Sequence, residues 1–115
     1  MIAKAKAMYV RVSTRKTREV ADLVRDKKVE EALRILKFTP RKGAFHIAKV
    51  IRSAVANAEE NSNVRDLSDV RVGELLVEMG PPMKRYTPRA HGRASLHRKP
   101  TTHIKVVLVK DGEVK

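Results

Sequence analysis

VRVGELLVEMGPPMKRYTPRAHGRASLHRKPTTHIKVVLVK, residues 70–110, sets two apolar, alternating ends around a basic, proline-rich middle. Its two ends have the period of strands. Val70 and Val72 alternate with polar residues, the phase changes at Gly73, and Leu75, Val77 and Met79 continue the alternation, which marks a bulge at the glycine. Ile104, Val106 and Leu108 share one face of the last strand, with Val107 and Val109 on the other. Residues 80–102 between them hold four of the five prolines and three isolated apolar residues, Met83, Tyr86 and Leu96, too few and too scattered for a core. If the flanking strands pair, about eleven residues run out and eleven return, a reach of about 35 Å at roughly 3.3 Å per residue. The prolines stiffen such an arm and limit edge pairing, and Gly92 permits a tight reversal near its midpoint. Its own packing cannot stabilise it, so order has to come from a partner.

Upstream, residues 4–12 alternate as a strand, with Met8, Val10 and Val12 on one face and Tyr9 and Arg11 on the other. Ser13 is placed to cap a helix that carries Val20, Leu23 and Val24 at helical spacing and ends near Arg25. Val29, Ala32, Leu33 and Leu36 form a second apolar stripe, started favourably by Glu30 and Glu31. Thr39-Pro40 reads as the end of that helix and the cap and first position of a third. Ala44, Ile47, Ala48, Ile51, Val55 and Ala58 make the third stripe, which Asn61-Ser62-Asn63 ends.

The charge is segregated along the chain. The 115 residues carry 26 Lys and Arg against 13 Asp and Glu, a formal charge of +13. Residues 1–18 contain Lys4, Lys6, Arg11, Arg15, Lys16 and Arg18 and no acid. Residues 19–78 balance 11 basic side chains with 11 acidic ones, and residues 79–110 add Lys84, Arg85, Arg89, Arg93, Arg98, Lys99, Lys105 and Lys110 with no acid again. A neutral centre between two acid-free basic segments is the pattern a phosphate backbone selects, because every carboxylate would repel the polyanion. Arg15, Lys16 and Arg18 crowd the first turn of a helix, where cations oppose the macrodipole, so an external anion has to compensate them.

Other chemistry is excluded or unsupported. The absence of Cys removes disulfides, thiolate catalysis and Cys-ligated zinc, and the longest apolar runs are four residues, so no membrane span or signal core is present. No phosphate-cradling glycine motif occurs. The adjacent pairs Glu30/Glu31 and Glu59/Glu60 point about 100° apart on a helix and serve as solvated surface. His91, His97 and His103 recur every six residues, which separates them by roughly 20 Å on extended strands, too far for one metal ion. No metal, cofactor or catalytic residue is therefore expected. Tyr9, Phe38, Phe45 and Tyr86 are too few for a base-stacking sheet, so folded, duplex-rich nucleic acid held by phosphate and shape is the expected ligand. An architectural DNA binder, an anionic-membrane binder and an RNA-processing enzyme are the competing classes. The first lacks dimer-forming sequence, the second a helix joining a cationic face to a bulky apolar one, and the third an acid or histidine cluster.

YVRVSTRKTREVADLVR, VEEALRIL, AKVIRSAVANAEEN, GPPMKRYTPRAHGRA and THIKVVL, in that order over nearly the whole chain, resemble the bacterial large-subunit ribosomal protein L twenty-two family. The resemblance implies an α+β fold, three helices packed on a three-stranded antiparallel sheet with a long protruding β-hairpin arm. It implies one rRNA-binding domain, with a body of about residues 1–79 and 103–115 and an arm of about 80–102. The implied role is structural: the protein binds large-subunit (23S) rRNA, helps subunit assembly in the cytoplasm and lines the polypeptide exit tunnel. Carried onto this chain, Lys84, Arg85, Arg89, Arg93, Arg98 and Lys99 would hold rRNA along the arm. Arg89, Ala90, His91, Gly92 and Arg93 would form the tunnel-lining tip, and Lys4, Lys6, Arg11, Arg15, Lys16 and Arg18 a second rRNA surface. Neighbouring large-subunit proteins and the nascent polypeptide would be partners, with no membrane and no self-association. The chain departs from the family pattern at several points. Ser13-Thr14-Arg15-Lys16 replaces Ser-Pro-Arg-Lys, Pro100 replaces an arm arginine, and His91 stands where Lys or Arg is frequent. Asp26 replaces a common Gly, which argues against the usual left-handed turn there.

Overall fold

The computed structural model describes residues 2–61, 69–81, 83–88, 94–99 and 101–110, with the backbone alone for 83–88 and 94–99. The order of elements is β1 (Ala3–Val10), α1 (Thr14–Val24), α2 (Val29–Lys37), α3 (Lys42–Asn61), β2 (Val70–Met79), β3 (Met83–Pro88), β4 (Ala94–Lys99) and β5 (Thr102–Lys110). This is an α+β fold. β5 lies between β1 and β2 in an antiparallel three-stranded sheet, while β3 and β4 form a separate antiparallel pair. The Cα trace is elongated, 63 Å along its longest axis against 27 and 21 Å across.

The helices cover one face of the sheet, α3 against β1 and β5, α1 and α2 against β2. Ile47, Ile51, Val20, Val24 and Val29 meet Leu75, Ile104, Val106 and Leu108 in a single buried cluster, at about 1.5–3 kcal/mol of hydrophobic stabilisation per large side chain. The expected α3 stripe is buried, apart from the half-buried Val55, and Val50 and Ala54 widen it. The register of β2 against β5 shifts between Val72 and Glu74, so the bulge falls at Gly73. A Cβ there would meet Val109 Cγ1 at 2.6 Å, and its absence makes room for the buried Val109.

Four local expectations need correction. The inward face of β1 is Ala3 and Ala5, not Met8, which is 52% exposed. The register slips between Ala7 and Val10, where Tyr9 takes φ 57°, and this phase change turns Val12 into the core. Tyr9 is held in that conformation by its amide, which donates to His103 Nδ1 at 3.0 Å, and by an edge-on ring contact with the same residue. Met79 ends β2 75% exposed. Pro40 precedes α3 by two residues instead of opening it, and the Thr39 hydroxyl donates back to Ile35 O at 2.7 Å, closing α2. Asp26 keeps the left-handed turn at φ 65°, which Asp tolerates better than most residues. Its amide donates to Val72 O at 3.2 Å and its carboxylate faces Arg71 Nη1 at 3.3 Å. The α1–α2 connection thereby pairs with the outer edge of β2, reinforced by Val72 N donating to Lys27 O at 2.8 Å, and covers an edge that would otherwise be open.

Candidate nucleic-acid interface

Ser13 leaves β1's extension in an extended conformation and caps α1, accepting from Lys16 N at 3.4 Å, while its carbonyl accepts from the Thr17 hydroxyl at 2.7 Å. That geometry turns Arg15 and Lys16 outward, with no acid in the first turn. α3 begins the same way, at Lys42 and without an acid. The two helix starts touch. Gly43 is buried, and a Cβ on it would lie 2.9 Å from Thr17 Oγ1 and 3.1 Å from Thr17 Cα. Between the two starts lies a cleft of about 840 Å³, with Arg11, Ser13 and Lys16 on one side and Arg41, Lys42 and Gly43 on the other. Its floor is Val12 and Thr17.

The other sequence-predicted cations divide into three groups. Lys4 and Lys6 are exposed on β1, pointing away from the helices, and Lys6 pairs in register with Lys105 of β5. Directly opposed like charges destabilise a sheet, and here Glu78 shares the depression lined by Lys6 and Lys105. Arg18 is partly engaged inside the protein, its Nε donating to Val77 O at 2.8 Å, and with Arg25 Nη2 on Leu75 O at 2.8 Å it staples α1 to β2. Lys84 and Arg85 fall on β3 and Arg98 and Lys99 on β4, with Lys84 opposite Arg98 in register, which brings the backbone positions of the arm's cations together. Arg89, Ala90, His91, Gly92 and Arg93 lie outside the described residues.

The root of the β3–β4 pair is tied to the start of α1. Gly80 N donates to Thr101 O at 2.9 Å, and the Thr101 hydroxyl donates to Pro81 O at 2.6 Å. The buried Thr102 hydroxyl donates to Val12 O at 2.9 Å, which leaves the Thr14 hydroxyl to donate to Thr102 Oγ1 at 2.8 Å. Val12 therefore both lines the cleft and, with Thr14, anchors the arm's root.

Arg41 and Lys42 are the side chains sequence reasoning missed, because both sit in the electrically balanced middle of the chain. Lys42 also begins a line along α3, with His46 and Lys49 at i+4 and i+7. His46 has its pKa lowered from 6.5, first by burial and then by the charges of Lys42 and Lys49, and so is neutral at pH 7. Among the described residues no three His, Asp or Glu side chains are grouped to hold a metal ion, and no helix is long and apolar enough to cross a membrane.

Comparison with known proteins agrees with this arrangement. The family model described as "Ribosomal protein L22p/L17e" matches residues 5–109. The large ribosomal subunit protein uL22 of Carboxydothermus hydrogenoformans is 49% identical over 113 residues, 98% of this chain and 99% of that protein. Its namesake in Syntrophotalea carbinolica is 54% identical over 108 residues, 94% of this chain and 97% of the relative. That of Clostridioides difficile is 55% identical over 108 residues, covering 94% and 96%. With the matched segment running from β1 to β5, through all three helices and the β3–β4 pair, the chain belongs to the ribosomal protein L22p/L17e family.

Proposed function

We propose that this protein is a structural constituent of the large ribosomal subunit, with no catalytic step, and that it binds large-subunit rRNA mainly through phosphate contacts. The family match from residue 5 to residue 109 carries the reading. The acid-free starts of α1 and α3 support it, since phosphates opposite them would satisfy both the side-chain charges and the helix dipoles. Arg11, Arg15, Lys16 and Arg18, with Lys4 and Lys6, form one rRNA surface. Lys84, Arg85, Arg89, Arg93, Arg98 and Lys99 form the other along the arm, and residues 89–93 line the exit tunnel beside the nascent polypeptide. By engaging rRNA segments at two separate surfaces the protein helps subunit assembly. Neighbouring large-subunit proteins are its other partners, and it works in the cytoplasm without self-association or membrane binding.

A footprint of the purified protein on large-subunit rRNA tests this, with the full chain compared against one lacking residues 84–98. Protection at several distant rRNA segments, lost at an interior subset in the deletion, is the expected result. Diffuse protection unchanged by the deletion would contradict it and favour a generic basic binder.

A further inference from the structure

The cleft between the starts of α1 and α3 draws half of its cations from the part of the chain whose charges cancel. We propose that it is a dedicated phosphate site, in which Arg41 and Lys42 join Arg11 and Lys16 around one backbone phosphate of the bound RNA; this rests on the rRNA-binding reading above.

Four lines of geometry converge on that assignment. Arg11, Lys16, Arg41 and Lys42 all line the cleft, and among the described residues no carboxylate does. Glu19, which pairs with Arg41 Nη1 at 2.9 Å, stands outside the lining, and a guanidinium has further donors to offer a second anion. Two helices, of 11 and 20 residues, start at the same place, and the leading amides of a helix have no intrahelical acceptor. Gly43 against Thr17 lets the two first turns approach to contact, so both positive dipole ends act on one volume. The cleft, about 840 Å³ and open to solvent through exposed Arg11, Lys16, Arg41 and Lys42, has the size of sites that take small ligands, and admits a phosphodiester with its neighbouring sugars. The fork of an arginine on each side favours a tetrahedral oxyanion over a single water or chloride. Among the described residues no acidic side chain lines the cleft, and the anion is assigned to the partner.

The test measures affinity of the full chain for large-subunit rRNA across a salt series. A double variant, Arg41→Gln with Lys42→Gln, is compared with a charge-matched one on the last turn of α2, Arg34→Gln with Lys37→Gln. Each phosphate contact contributes about 0.7–0.9 to the slope of log affinity on log salt, so losing the one contact in the cleft should weaken binding roughly five- to eightfold near 0.1 M salt. The cleft variant's slope should be shallower by about 0.7–0.9, against an unchanged slope and at most about a twofold change in affinity in the α2 variant. Lys42→Arg should retain the affinity that Lys42→Gln loses, and thermal melts of all variants report that the fold survives. Equal, small effects in both double variants, with the parent chain still binding tightly and steeply, would overturn the cleft assignment and leave rRNA binding standing. That result would also fit an acidic protein segment as the cleft's occupant. A parent chain without salt-dependent rRNA binding would overturn the rRNA reading and the cleft with it.

Discussion

α2 carries charges that complement its dipole at both ends, with Glu30 and Glu31 in its first turn and Arg34 and Lys37 in its last, though its N-cap Lys28 supplies no side-chain cap. α1 and α3, packed beside it, begin without an acid and with cations on the cleft they share. All three bury comparable apolar stripes, so packing does not explain the difference. An α2-like start lowers the energy of the free protein by about 0.3–1 kcal/mol per complementary charge, whereas the α1 and α3 starts raise it by similar amounts. The charges of α2 complement its dipole within the chain, whereas those of α1 and α3 oppose theirs at a common cleft, where an external polyanion can complement them.

That contrast can be broken most forcefully at Gly43. Val at this position would drive α1 and α3 apart against Thr17 backbone 3.1 Å away, so Gly43→Val should cost about 1–3 kcal/mol in denaturant unfolding. It should weaken rRNA binding as well, because the two helix starts no longer share a cleft. Arg15→Glu gives α1 an α2-like start, and its effects should have opposite signs. Thermal unfolding should rise by the equivalent of about 0.3–1 kcal/mol while rRNA affinity falls roughly tenfold. A fall in both quantities would mean that Arg15 serves the fold. Removing the acids of α2, as Glu30→Gln with Glu31→Gln, should lower stability by a few tenths of a kcal/mol each and leave the salt slope of rRNA binding unchanged.

The smallest effect concerns His46. Its folded pKa is lowered below 6.5, so the unfolded chain binds the proton more tightly. The contribution of neutral His46 is fully present above pH 6.5 and is lost as the pH falls through the lower folded value. Urea melts between pH 5 and 8 should show this slope, and His46→Gln should flatten it. Bound RNA near Lys42 and Lys49 should raise the His46 titration point, which NMR can follow in the complex.

Much of this fold is legible in the sequence where apolar side chains are large and regularly spaced. Ile47 and Ile51 mark the buried face of α3, and the phase change at Gly73 marks the bulge beside Val109. β1 is harder because its inward residues are Ala3 and Ala5, which carry almost no hydropathy signal, while the more apolar Met8 and Tyr9 sit at a register slip that turns them out. Pro40 misleads because the Thr39 hydroxyl turns back to Ile35 O instead of capping forward. Asp26 shows a left-handed turn outlasting the loss of its glycine, held by pairing to β2. The cleft is half legible. Arg11 and Lys16 lie in a basic run, but Arg41 and Lys42 join them only because the fold brings two chain segments about 25 residues apart to one place.

If RNA phosphates complement the cations of this protein, the salt dependence of rRNA binding by the full chain has to show it. With six to ten phosphate contacts, affinity should fall by roughly three to five orders of magnitude between 50 and 200 mM salt. An affinity that stays flat across that range would contradict the claim.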